Sequence, residues 1–267
     1  TGATVDSAGV SIITSYNANC IQRITAGGTV SIIAGADVAN AYLEHTTGTS
    51  ARFYHPADCV VTSDDGLLYL TDRYNHRVRS VTLSGTFGTA LVAGDGTSGF
   101  IDGPAPRLTY PHGIAIAGNG DVFFGQLGHD AVRRISADHS TTTTVAGTGV
   151  PGFTNGVGVL TQFDETYGMD IDSNGFLLIT DINNGALRML DTNTGLVTTH
   201  VSGLTTPIGV CIDHATGAFF VSHASADTVS AHGATQPTVT ASPTAPTAPV
   251  LSWTAGSGAW VAVKEGT

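Results

Sequence analysis

Gly66-Leu-Leu-Tyr-Leu-Thr-Asp72-Arg-Tyr-Asn75-His76-Arg77-Val78-Arg79 is the stretch on which the fold turns, because its outline returns along the chain. It opens with a turn dipeptide, Asp65-Gly66, followed by an apolar run from Leu67 to Leu70. The same outline recurs at Asn119-Gly120, Asn174-Gly175 and Thr216-Gly217, earlier at Ala8-Gly9, and weakly at Ser257-Gly258. The turn glycines at 9, 66, 120, 175, 217 and 258 are spaced by 57, 54, 55, 42 and 41 residues. A second landmark tests the register: Ile21-Gln22, Val78-Arg79, Val132-Arg133, Leu187-Arg188 and Val229-Ser230 each begin 12 residues after their glycine. Two landmarks that keep one spacing through five copies establish a true repeat, the mark of a solenoid or propeller.

Each unit reads as four strands. A short apolar strand such as Gly113-Ile-Ala-Ile116 leads into an Asn-Gly, Asp-Gly or Thr-Gly turn, which supplies the positive φ of a tight hairpin. The second strand is a continuous apolar run, as for a strand covered on both faces. The third alternates, as in Val78-Arg79-Ser80-Val81, and its long polar side chains are expected to reach water. The fourth is Thr-rich: Val30 to Ile33, Ala90 to Val92, Thr143 to Val145 and Val197 to His200. One such sheet cannot bury its own faces, so the units must stack around an axis. The expectation is an all-β propeller of four-stranded antiparallel blades, six in number, with five full repeats and half of a sixth in this chain. Residues 1–236 hold blades one to five, 237–249 a Pro/Thr-rich linker, and 250–267 the start of the sixth. The chain is expected to be an excerpt of a longer protein. The loops Asp95 to Gly103 and Gly149 to Gly156 share Gly-Phe-x-x-Gly, and are expected to be structural parts of the repeat.

The Asn75-His76-Arg77-Val78-Arg79 element, after a strand ending in Thr-Asp, resembles the core of an NHL repeat, and Val145 to Phe153 resembles that family's inter-blade loop. The second copy matches closely, the third and fourth moderately, and the first and fifth are degenerate. The resemblance implies the propeller fold and says little of activity, since one fold carries many. Because NHL-like propellers include lyases with metal-bound histidines, a metal-dependent lyase or hydrolase with its site in the central channel is the alternative function.

Composition narrows the partners. The net charge is −11, with nine arginines, one lysine (Lys264) and 21 acids, and charged residues make up 12% of the chain, roughly half the usual share. Nucleic-acid binding draws on clustered cations. Arg77, Arg79, Arg133, Arg134 and Arg188 recur in the third strands, but the family resemblance places Arg there, so nucleic acid is not an expected partner. No run of 18 apolar residues exists, and no membrane-spanning helix is expected. Cys20, Cys59 and Cys211 have no metal-ligand spacing and read as small buried hydrophobes.

No catalytic residue, cofactor or metal site is expected. His55 and His112, each next to a proline at the start of an inner strand, are weak channel-mouth candidates. His223, ending a second strand, is expected at the opposite rim. Asp64-Asp65 and Asp170-Ile-Asp172 read as turn acids rather than calcium ligands. The tract holding Ser242, Pro243, Thr244, Pro246, Thr247 and Pro249 suits O-glycosylation or proline hydroxylation, while no Asn-x-Ser/Thr sequon exists. Low charge and abundant hydroxyls complete the expectation: an extracellular or cell-surface module that binds protein partners or copies of itself, within a larger glycoprotein or fibre.

Overall fold

A computed structural model describes residues 2–36 and 40–233. Twenty short strands form five antiparallel sheets, one per repeat. Blade 1 is β1 (Ala3–Val5), β2 (Ser11–Ser15), β3 (Cys20–Ile24) and β4 (Val30–Gly35). Blade 2 is β5 (Pro56–Val61), β6 (Leu67–Asp72), β7 (Arg77–Thr82) and β8 (Thr89–Ala93). Blade 3 is β9 (Pro111–Ile116), β10 (Val122–Gln126), β11 (Ala131–Ile135) and β12 (Thr142–Ala146). Blade 4 is β14 (Thr166–Ile171), β15 (Phe176–Asp181), β16 (Ala186–Asp191) and β17 (Leu196–Ser202), with the two-residue β13 (Gly156–Val157) added at its edge. Blade 5 shows β18 (Pro207–Ile212), β19 (Phe219–His223) and β20 (Thr228–His232). The described residues therefore make five blades where the repeat count predicts six. The half-copy at 250–267 and the linker at 237–249 lie outside the described residues.

Blades are joined by apolar cores. One cluster, with Ile12, Ile21, Phe53 and Leu70, seals blade 1 to blade 2, and three more seal each following pair. Polar stitches then fix the register, and each recurs at one distance from the turn glycine. Five residues after it stands a hydroxyl in four blades: Thr14, Thr71, Thr180 and Ser222. Thr71 Oγ1 accepts the Asp58 N–H of its own inner strand at 3.1 Å and donates to the His112 carbonyl of the next blade at 2.6 Å. Thr14 joins Gly2 to Ala57, and Thr180 joins Gly168 to Ile208, in the same way. Blade 3 has Gly125 at this position, and no hydroxyl.

The second stitch starts ten residues after the glycine. Asn19, His76 and Asp130 sit there in the left-handed region, which Asn and Asp tolerate best. Their side chains accept the N–H groups of His55, Tyr110 and Glu165, at 2.8, 3.3 and 2.8 Å. Those three residues lead into the next inner strand and are themselves left-handed, with φ of 52°, 49° and 65°. Backbone strain at each lead-in is thus held by the blade before it.

The third stitch corrects the expectation for the alternating strands. Arg79, Arg133 and Arg188 do not reach water; all three are fully buried. Each meets a polar partner seven residues earlier (Asp72 at 2.8 Å, Gln126 at 2.8 Å, Asp181 at 2.7 Å) and the carbonyls of the preceding inter-blade loop. Phe53, Phe100 and Phe153 lie under the three guanidinium groups at 4.2, 4.9 and 4.8 Å. The Phe of the Gly-Phe-x-x-Gly loops packs on the arginine of the blade it leads to, so these loops are structural.

Candidate functional site at the channel mouth

The inner strands enclose a cavity of about 310 Å³, lined from all five blades by residues that include Gly2, Asp58, His112, Tyr167, Asp170 and Ser222. In a hairpin the end of the second strand returns to the start of the first, and Pro56 pairs with Asp72 while Pro207 pairs with His223. The lead-ins and the turns after the second strands therefore share one rim. This overturns the expectation for His223, which lies at the same rim as His55 and His112. His223 is also committed elsewhere: its Nε2 shares a 2.7 Å hydrogen bond with Ser230 Oγ, at the place where other blades pair Asp or Gln with Arg. Its Nδ1 pairs with the Thr205 carbonyl at 3.1 Å.

That rim gathers aromatic side chains. Tyr54 stacks on Tyr74 at 5.1 Å between ring centroids, Tyr74 meets Tyr110 edge-on at 5.2 Å, and Tyr16 lies 4.2 Å from His55. His112, one residue into its inner strand, lies 3.6 Å from Tyr167. At the centre of the cluster is Arg73, the first residue of the 3-10 turn Arg73–Asn75 that follows β6. Its guanidinium carbon is 5.8, 5.3 and 5.9 Å from the rings of Tyr16, Tyr74 and Tyr110, within cation–π range. Its charge also acts on the Tyr167 phenol. No carboxylate pairs with Arg73 among the described residues, and its buried Nε has no hydrogen-bond partner.

The electrostatics follow from enclosure and from that one cation. Burial pushes the Tyr16 phenol up to about 12, helped by its hydrogen bond to Tyr74. Burial raises Tyr167 as well, against the pull of Arg73. Burial first, and then Arg73, drives His112 well below the ordinary imidazole range, so its ring is neutral with a buried, unpartnered Nδ1. His55 is held by its 2.9 Å contact between Nδ1 and the Tyr16 carbonyl. Deeper in the channel, burial raises the Asp58 carboxyl to about 6, although the Cys59 and Ile114 N–H groups lower it. Asp170 is not a turn acid: it lies within β14, accepts the Ile212 N–H of blade 5 at 2.7 Å, and is likewise raised by burial. Asp64 and Asp172 do serve their turns, accepting from Gly66 and from Asn174 and Phe176.

The structure thus brings His55 and His112 to one rim but does not join them in a ligand set. No group of three or more His, Cys, Asp or Glu poised to hold a metal occurs among the described residues. Cys20 and Cys59 are buried and Cys211 partly so. Ser242, Pro243, Thr244, Pro246, Thr247 and Pro249 lie outside the described residues. Sequence reasoning missed Arg73. Its signal was a departure from the repeat: seven residues after the turn glycine the other copies carry Tyr16, Leu127, Ile182 and Ala224.

Comparison with known proteins bears on the family. A family model for the NHL repeat matches residues 53–79, which hold Arg73 and the blade 2 stitches. Blade 2 thus carries an NHL repeat, set in a β-propeller. The chain is similar to the Arabidopsis thaliana protein SUPPRESSOR OF QUENCHING 1, chloroplastic, at 26% identity over 179 residues. That match covers 62% of this chain and 17% of the length of the relative. Among solved structures, a streptogramin B lyase superposes with a TM-score of 0.58 at 16% identity, over 88% of this chain and 69% of its own. A nidogen/laminin complex gives 0.60 at 14% identity, over 87% and 79%. A gluconolactonase from Xanthomonas campestris gives 0.57 at 17% identity, over 84% and 68%. Identities this low speak for the fold alone.

Proposed function

We propose that this chain is a non-catalytic recognition module, working outside the cell or at its surface within a larger assembly, and that the tyrosine-lined mouth engages its protein partner. One observation carries the reading: Arg73 is a cation without a carboxylate partner among the described residues, ringed by Tyr16, Tyr74, Tyr110 and Tyr167. Tyrosine and arginine dominate the energetics of protein interfaces, because they offer large rigid area with polar tips. A guanidinium held in such a bowl suits a carboxylate that brings a flat or apolar body with it. The partner is therefore expected to present an Asp or Glu side chain or a free terminal carboxylate. Low charge, abundant hydroxyls and the Pro/Thr tract support a place outside the cell, and the tract is where attached glycans are expected.

Two measurements test the reading. Peptides ending in a free carboxylate, arrayed beside the same peptides amidated, should bind the protein only in the free form, and Arg73→Met should abolish the difference; equal binding of both forms rejects the mouth as the recognition surface. Intact mass of the natively purified protein, before and after chemical deglycosylation, tests the location. A heterogeneous excess mapped to 237–249 is expected, and a single unmodified mass removes that support.

The second reading is a channel enzyme, a metal-dependent lyase or hydrolase. It is favoured by the unpartnered His112 Nδ1 and by a carboxyl lining the same cavity, Asp58, whose proton is held to about pH 6. Elemental analysis of the purified protein, with stoichiometric metal lost in His112→Ala, would move the assignment to that reading.

A further inference from the structure

The seam between blades 4 and 5 departs from the stitch that the preceding blades use. In blades 2, 3 and 4 the residue six after the turn glycine is Asp72, Gln126 or Asp181, and the one thirteen after it is Arg79, Arg133 or Arg188. Blade 5 has His223 and Ser230 at these two places. Two residues further on, Val81, Ile135 and Leu190 are buried, and there blade 5 has the partly buried His232. Pairing of β19 with β20 sets Phe219 opposite His232 and Val221 opposite Ser230, so these four side chains and His223 share one face of the sheet. Phe219 and Val221 pack with Leu187 of blade 4, so this is the face turned to blade 4. From the other side of the seam His200, on β17, brings its ring to 5.0 Å from Phe219. His232 stacks on the same ring at 5.1 Å, with 8° between the planes. Three imidazoles thus gather at a seam where the preceding blades use an arginine.

The hydrogen bonds fix where the protons are. The Thr205 carbonyl can only accept, so His223 Nδ1, 3.1 Å from it, carries a hydrogen. In the neutral ring Nε2 is then an acceptor, and it takes the Ser230 hydroxyl proton at 2.7 Å. That hydroxyl has no second proton, so at 2.9 Å it accepts from His232 Nε2. The chain from His232 through Ser230 and His223 to Thr205 is complete with both rings neutral. Two imidazolium ions would face each other across a single hydroxyl, with His200 close by. Burial first, and then the charges of His223 and His200, hold His232 below the ordinary imidazole range. The other titratable groups of the two blades have their own places. Asp213 accepts from Ala215 and Thr216 in its turn, beside the exposed His214, and Asp227 stands at the left-handed turn before β20. On blade 4, Asp191 holds its turn through Asn193 and Thr194, Asp181 pairs with Arg188, and Asp170 accepts the Ile212 N–H in the channel.

We propose that His200, His223, Ser230 and His232 form an acid-sensitive latch, which holds blade 5 to blade 4 while the rings are neutral and releases it when they take up protons. The Arg–Asp pairs of blades 2 and 4 keep their charges through the physiological range, whereas imidazoles gain theirs as pH falls below about 6.5. An open seam binds the proton more tightly than a closed one, so the latch is fully closed above that pH and weakens as pH falls through the imidazole range. The inner strand of blade 5 lines the channel with Ile208, Gly209 and Val210, so acid loosens one wall of the channel, whatever the mouth binds.

Hydrogen–deuterium exchange of the full chain, followed by mass spectrometry in neutral and mildly acidic buffer and corrected for the intrinsic rate, tests the latch. The expected result is a loss of protection of about tenfold in β19 and β20 on acidification, as for one imidazole that binds its proton tenfold more tightly in the open seam. β6 and β7 of blade 2 should show no such loss. His232→Leu, which installs the residue that blade 4 carries at this position, should remove most of the effect, and His200→Gln, at an exposed residue, should reduce it. His214→Gln, outside the cluster, should leave it as in the native protein. Acid loss shared equally by blades 2 and 5, no loss in either, or a loss in β19 and β20 that survives both His232→Leu and His200→Gln overturns the proposal. Should His232→Leu fail to fold, the native pattern and His200→Gln decide between the same outcomes.

Discussion

Arg73 and Arg79 are six residues apart in one blade and illustrate two uses of a guanidinium. Arg79 is fully buried, with Asp72 on one side, Glu44 on the other, loop carbonyls from Leu43 and Arg52, and Phe53 under its plane. Its hydrogen-bonding directions are largely taken up within the fold, and its counterparts Arg133 and Arg188 repeat the arrangement. Arg73 has rings where Arg79 has carboxylates, and no other blade repeats it. A cation that recurs at one repeat position and is neutralised on the spot holds the blade to its loop. One that breaks the repeat at the rim, without a partner carboxylate among the described residues, is placed to meet something from outside.

The largest effect should fall on Arg79. Removing one member of a buried pair leaves the other charged and unpaired, so Arg79→Ala is expected to cost about 3–5 kcal/mol in chemical denaturation, with the 43–52 loop released to proteolysis. A cost no greater than that of a surface substitution would break the comparison from the Arg79 side. Next comes Asp58. Its folded carboxyl is held at about 6 against an unfolded value near 3.8, so the folded protein binds the proton more tightly. This group's contribution to stability is therefore present at low pH and lost as pH rises from about 4 to 6, by at most about 2–3 kcal/mol. Water in the channel will reduce that figure. Melting curves across this window should fall for the native protein and flatten for Asp58→Asn; a contribution that grows with pH would contradict the assignment.

Thr180→Val removes one inter-blade hydroxyl and should cost about 1 kcal/mol, the usual worth of such a bond. Gly125→Ser, offered as the missing hydroxyl of blade 3, should not be stabilising, because a Cβ there meets the Met169 methyl at 2.9 Å and Thr166 Oγ1 at 3.0 Å. Differential scanning calorimetry of the two variants separates hydrogen bonding from crowding. Smallest of all on stability should be Arg73→Met, within about 0.5 kcal/mol of the native protein, since no ion pair among the described residues is broken and the tyrosines keep an apolar neighbour. Its effect should appear in binding instead.

Much of the propeller was legible because its causes are local. The turn glycines Gly9, Gly120, Gly175 and Gly217 take positive φ, with Asp65 in that role in blade 2, and Ile21, Val78, Val132 and Leu187 must be apolar to seal a blade. What sequence reading missed is contributed by a neighbour. Arg79 looked water-facing because its strand alternates; the Glu44-to-Phe53 loop that covers it comes from far upstream. His223 was placed at the far rim because strand ends were counted along the sequence, while pairing with Pro207 brings the hairpin back on itself. The lead-in stitches at Asn19, His76 and Asp130 use three residue types for one job, so no identity marks them. Only left-handed geometry unites them. The hydroxyls at Thr14, Thr71 and Thr180 were visible in the sequence and had no assigned task until the next blade's carbonyl was in view.

The most direct test sets the two arginines side by side. Native protein, Arg73→Met and Arg79→Ala are melted, and each is titrated with benzoate, a carboxylate on a flat ring, followed by tyrosine near-ultraviolet difference spectra. The account expects saturable binding by the native protein, its loss in Arg73→Met at an unchanged melting temperature, and a large drop in melting temperature for Arg79→Ala. Benzoate binding that survives Arg73→Met, or an Arg73→Met variant that melts as early as Arg79→Ala, would contradict the claim that the channel mouth is a recognition site.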